Sequence, residues 1–97
     1  MPLLSDEEIT SRLADLEGWE REGDAIRREL RTADFVGSVD LLNRITPIAE
    51  EMGHHPDVAI SWNRVTVSLS THSEGGLTES DFELAGRIDS LAGDAGS

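Results

Sequence analysis

The chain contains no cysteine. That excludes a disulfide framework and any thiolate nucleophile, and it fits a reducing compartment, so a cytoplasmic location is expected. No apolar run is long enough to span a bilayer, and the N-terminus lacks the basic-then-apolar pattern of a signal segment. Neither a membrane partner nor export is expected. Basic residues are scarce: 8 Lys plus Arg stand against 20 Asp plus Glu, a formal net charge of −12 at pH 7. A surface so negative repels phosphate backbones, which argues against nucleic acid as a partner. Arg21, Arg27, Arg28 and Arg31 lie close together in sequence, but Glu20, Glu22, Asp24 and Glu29 lie among them, giving a mixed-charge surface. Only 4% of the residues are aromatic and 37% are hydrophobic. A single domain spanning residues 1–97 then buries a modest core and gains from oligomerisation. There is no G-x-S-x-G elbow and no phosphate-cradling glycine loop, so nucleophilic and nucleotide chemistry find no motif.

What is present is a regular alternation of helical and strand patterns. Ser5 with Glu8 forms a capping box, and Ile9, Leu13 and Leu16 recur at helical spacing, predicting a helix over residues 5–17 that Gly18 ends. The stretch "WEREGDAIRREL" reads as a hairpin turning at Gly23-Asp24. Asp34 is a natural N-cap for a long helix over 34–52 with an apolar face of Val39, Leu42, Ile45, Ile48, Ala49 and Met52. Pro47 threatens that helix with a kink or an early stop, and Gly53 supplies its left-handed terminus. Val58, Ile60 and Trp62 alternate with polar or small residues, as do Val65, Val67 and Leu69. A turn at Asn63-Arg64 pairs Trp62 with Val65, Ile60 with Val67 and Val58 with Leu69. A slip of two residues would preserve the same faces. Thr78 caps a last helix, with Asp81 three residues on, and residues 93–97 read as a frayed tail. Helix, two strands, helix, two strands, helix predicts an α+β two-layer fold: a four-stranded antiparallel sheet with three helices on one face.

All three histidines fall near one elbow. His54 and His55 lie between Gly53 and Pro56, and the predicted ladder sets His72 opposite His55. A polar turn, a metal site and an acid/base site are the readings to weigh. Adjacent side chains of an extended chain point to opposite sides, so His54 and His55 are poorly placed to grip one ion, and no metal is expected. Imidazole titrates near neutrality, with an unperturbed pKa of about 6.5, and neighbouring imidazoles hold each other in different protonation states. The cluster therefore suits proton transfer without a cofactor.

The spaced set Glu50, His54-His55-Pro56, Trp62, His72 and Asp81, with "LEGW" ending at Trp19 and "TADF" ending at Phe35, resembles the pterin-4a-carbinolamine dehydratases over nearly the whole chain. The resemblance implies a homodimer or homotetramer. It also implies dehydration of 4a-hydroxytetrahydropterin to the quinonoid dihydropterin, recycling the pterin left by an aromatic amino acid hydroxylase. Pterin would be the substrate, with no separate cofactor. Carried over residue by residue, His54, His55 and His72 are the catalytic set. Gly53, Ser70, Thr71 and Ser73 join them around the substrate, and Glu50 is placed to orient a histidine. Asp81 belongs to the pattern, although it is expected chiefly to cap the last helix with Thr78. Trp62 falls on the apolar face and is expected in the core. Three positions depart from relatives: Gly53 stands where animal members often carry Asp, Leu30 where an aromatic is common, and Pro47 within a helix that packs between subunits. Two other functions share these features: a non-catalytic interaction module that pairs with transcription factors, and an enzyme acting on another pterin.

Overall fold

The computed structural model describes the backbone of residues 2–96 and the side chains of residues 2–92. Ser5 caps α1 (Asp6–Ala14): its hydroxyl accepts from the Glu8 N–H, and the Glu8 carboxylate accepts from the Ser5 N–H. The helix stops at Ala14 and not at Gly18. Its last turn tightens, with Asp15 N–H donating to Arg12 O and Leu16 N–H to Leu13 O, three residues back in each case. β1 (Glu20–Glu22) and β2 (Ala25–Arg31) form the expected hairpin about Gly23-Asp24.

α2 (Phe35–Met52) begins where Asp34 accepts from the Gly37 N–H and ends at Gly53, whose φ of 62° is left-handed. Pro47 neither stops nor shortens it. The ring sits on the exposed side, so the carbonyl deprived of its partner, on exposed Asn43, faces water. The buried stripe runs Ser38, Leu41, Ile45 and Ala49, one position off part of the predicted face: Val39 and Leu42 are only half-buried.

β3 (Asp57–Ser61) and β4 (Arg64–Leu69) pair Val58 with Val67 and Ile60 with Val65. The register is therefore the slipped one, two residues from the predicted pairing. The turn is Trp62-Asn63, and Trp62 stands 66% exposed at φ 51° instead of packing in the core. The turn has the same two-residue length but lies one position earlier, and it is held by α2 and the β2–α2 connection: Ser38 Oγ donates to the Trp62 carbonyl (2.6 Å) and the Thr32 N–H to the Asn63 carbonyl (2.8 Å). Those two bonds select the register that alternation leaves open.

The four strands make one antiparallel sheet in the order β1-β2-β4-β3. Ile26, Leu30, Val65, Val67 and Leu69 on its inner face meet Ile9, Leu41, Ile45, Leu84, Ala85 and Ile88 of the helices, giving the two-layer α+β fold. The last helix, α3 (Glu79–Gly96), follows a single 3₁₀ turn at His72–Glu74. Its backbone stays helical through Gly96, across most of the segment read as a tail. Ser97 and the side chains of 93–96 lie outside the described residues. Trp19 is buried, its indole N–H donating to Asp89 Oδ1 (2.9 Å), which also receives Arg28 (2.5 Å). This node ties β2 and the α1–β1 connection to α3.

Candidate active site

Three segments build the site. Gly53 turns the chain out of α2, and the extended residues before β3 carry His54 and His55 to opposite sides. The 3₁₀ turn after β4 carries His72 and Ser73, its loop closed by Thr71 N–H donating to Gly76 O (2.8 Å). The start of α3 supplies Thr78 and Asp81.

His54 turns inward. Its side chain is 13% exposed, and Nε2 lies 2.5 Å from Oδ1 of Asp81, which is fully buried. Asp81 Oδ2 accepts from the Thr71 hydroxyl (2.8 Å) and from the Thr78 N–H (2.9 Å), and the Thr71 and Thr78 hydroxyls are themselves 2.8 Å apart. Three donors on one carboxylate satisfy a charge that burial alone would penalise. An ionised carboxylate only accepts, so Nε2 donates, and the basic lone pair of a neutral His54 then falls on Nδ1. Asp81 is thus both the helix cap and the partner of His54. The two roles use different oxygens.

His55 and His72 face water, with side chains 65% and 76% exposed. His55 Nε2 contacts Glu50, one turn back on α2. His72 Nε2 lies 3.8 Å from Asp57 Oδ2. The ladder pair between His55 and His72 does not form, because the strands stop at Asp57 and Leu69 and the chain turns into the 3₁₀ segment. His72 instead reaches Asp57, the residue two beyond His55 and on the same side of the extended chain. Asp57 was absent from the residues selected by motif; it lies two positions after His55 and so on the same side of an extended chain, a signal that could have found it. Ser70 donates to the Asp24 carbonyl (2.7 Å), holding the end of β4 to the first hairpin.

Among the described residues no group of three or more His, Asp or Glu side chains is placed to hold a metal ion. A cavity of about 170 Å³ adjoins His55, lined also by Glu50, Pro56, Leu42 and Ile45. That is below the roughly 300 Å³ at which enclosed small-molecule sites begin, and the histidine surface is open.

Comparison with known proteins points to one family. The family model described as pterin 4 alpha carbinolamine dehydratase matches residues 2–91. A protein of Nocardia farcinica is 50% identical over 93% of this chain and 95% of its own length. One of Sulfolobus acidocaldarius is 47% identical over 91% of this chain and 97% of its own. Both carry the name "Putative pterin-4-alpha-carbinolamine dehydratase". The crystal structure of a transcriptional coactivator/pterin dehydratase from Brucella melitensis superposes with a TM-score of 0.88 at 34% identity, over 92% of this chain and 97% of that one. A pterin dehydratase-like RuBisCO assembly factor of the alpha-carboxysome shares the fold, with a TM-score of 0.69 at 23% identity over 84% of this chain and 94% of that one. The chain belongs to the pterin 4 alpha carbinolamine dehydratase family.

Proposed function

We propose that this protein dehydrates 4a-hydroxytetrahydropterin to the quinonoid dihydropterin by histidine acid/base catalysis. The observation that carries the reading is the buried Asp81 bonded to His54 Nε2. It fixes the imidazole tautomer and aims the Nδ1 lone pair away from the carboxylate, as a base requires. In the proposed step His54 removes the proton from the ring nitrogen beside carbon 4a. The electron pair left on nitrogen forms the new C=N bond as the C4a–O bond breaks. The hydroxyl takes a proton from His55 or His72 and departs as water. Protons balance, and no electrons leave the system. Glu50 contacts His55, and Asp57 lies 3.8 Å from His72, so each proposed donor has a carboxylate beside it to orient the ring. The backbone at Gly53 and Ser73 and the Ser70–Thr71 segment frame the pterin. A homodimer or homotetramer in the cytoplasm, working beside an aromatic amino acid hydroxylase and with no metal or added cofactor, completes the proposal.

The test is stopped-flow absorbance with 4a-hydroxytetrahydropterin. His54→Ala lowers the dehydration rate by about 10²-fold or more, and the wild-type rate falls toward low pH as the base is protonated. An unchanged rate in the variant, or a flat profile between about pH 5 and 8, where an ordinary imidazole titrates, overturns the reading. The double name of the Brucella relative favours a second reading, a protein-interaction module. That reading expects the alanine variants to be kinetically silent.

A further inference from the structure

Thr71 stands one residue before His72, between the end of β4 and the 3₁₀ turn. The family resemblance places it among the residues around the substrate. Its hydroxyl is engaged elsewhere: Oγ1 lies 2.8 Å from Asp81 Oδ2 and 2.8 Å from Thr78 Oγ1. A hydroxyl has a single hydrogen, and an ionised carboxylate only accepts. The Thr71 hydrogen therefore goes to Asp81, and the Thr78 hydroxyl donates to Thr71. Thr71 is left with no side-chain proton to offer a ligand. We propose that Thr71 is a positioning residue: its hydroxyl sets the carboxylate plane of Asp81 and, through Asp81, the orientation and tautomer of His54.

The carboxylate geometry is the first argument. Asp81 has one local donor, the Thr78 N–H on Oδ2 (2.9 Å). A single bond of this capping type fixes one oxygen and leaves the carboxylate free to turn about it. A second donor on the same oxygen, from a different segment, removes that freedom. Thr71 supplies it, and Oδ1 is then held toward His54 Nε2, 2.5 Å away. Asp81 and Thr78 are fully buried, so bulk water does not replace a lost donor.

The second argument is what else Thr71 holds. Its N–H donates to Gly76 O (2.8 Å), and its carbonyl accepts from the N–H groups of Glu74 (3.0 Å) and Gly75 (3.0 Å), closing the turn that carries His72. One residue thus holds the His72 turn by its backbone and the His54–Asp81 pair by its side chain. Valine has the branched shape of threonine and suits its extended backbone. It keeps the first of these links and removes the second.

The inference rests on the dehydratase reading, and the test separates the two. Nitrogen-15 NMR of the histidine rings at about pH 8.5, where an ordinary imidazole is neutral, needs no substrate. Comparison with His54→Ala assigns the His54 signals among the three histidines. Wild-type His54 is expected as the Nε2–H tautomer. In Thr71→Val its signals move toward a mixture of both tautomers, and Thr71→Ser keeps the wild-type pattern. In stopped-flow, Thr71→Val lowers kcat by about tenfold with KM little changed, short of the ~10²-fold that an ångström of misplacement costs. Thr71→Ser restores most of the rate, and adding Thr71→Val to Asp81→Asn lowers it little further. Circular dichroism checks that each variant is folded, and Thr71→Ala, with the same expected losses, serves if the valine variant is not. A wild-type His54 tautomer in the folded valine or alanine variant overturns the proposal and leaves the hydroxyl a purely structural role. A raised KM at unchanged kcat overturns it in favour of direct substrate contact. So does a serine variant as slow as the valine one. If the wild type does not dehydrate the pterin, the dehydratase reading fails, and the tautomer comparison alone decides what the Thr71 hydroxyl does.

Discussion

Asp81 carries more of the site than its sequence position suggests. Three residues after Thr78 it reads as half of a capping box, and the Thr78 N–H does bond to it. The same carboxylate is fully buried against His54 and Thr71, a fact visible only once α2, β4 and α3 meet. Replacement by Asn keeps the size but inverts part of the donor and acceptor pattern, so the His54 tautomer is no longer imposed. Asp81→Asn is expected to lower kcat by an order of magnitude or more with KM little changed, and to cost about 1–3 kcal/mol of stability from the disrupted buried network. In a His54→Ala background the same substitution should scarcely lower the rate further, because the two act as one unit. Additive losses of rate would place Asp81 outside the catalytic path. Gly53 was legible for a simpler reason: a helix that must turn at once into a strand needs a left-handed residue, and glycine supplies it without strain.

Elements were read well where a local signal sufficed. The Ser5–Glu8 capping box is local, and it is present. It also has a pH signature. The hydrogen bond from the Ser5 backbone N–H, then that from the Ser5 side chain, and the nearby Arg12 charge hold the Glu8 carboxyl below its ordinary value. A depressed carboxylate stabilises the fold above its unfolded pKa and loses that contribution as pH falls through the folded value. Glu8→Gln should therefore unfold at lower urea than wild type at neutral pH, and the gap should close in acid below the ordinary carboxylate range. A gap independent of pH would assign the effect to something other than the charge. The β3–β4 register was not legible, because a slip of two leaves every side chain on its face. Ser38 and Thr32 choose the register by bonding the turn, from positions far from it in sequence. Trp62 moved from core to surface on that choice alone.

The molecule as a whole carries −12, and its ion pairs are mostly exposed. Exposed pairs contribute about 0–1 kcal/mol each and weaken in salt. Self-repulsion of the excess acid also weakens, and it opposes the compact state. With 20 acids against 8 bases, repulsion is the larger effect. The urea midpoint should rise between low salt and about 0.15 M NaCl, where the Debye length is about 8 Å. A falling midpoint would mean that the local pairs dominate.

The sequence by itself determined the order of elements, the N-caps of α1 and α2, the left-handed end of α2 at Gly53 and the place of the histidines at an elbow, because each depends on residues within a few positions of one another. Only the tertiary structure decided the strand register, the exposure of Trp62, and which carboxylate each histidine meets. Asp81 reaches His54, Glu50 reaches His55 and Asp57 reaches His72. The first and last of these contacts depend on loops closing between distant segments, and periodicity along the chain carries no information about that closure.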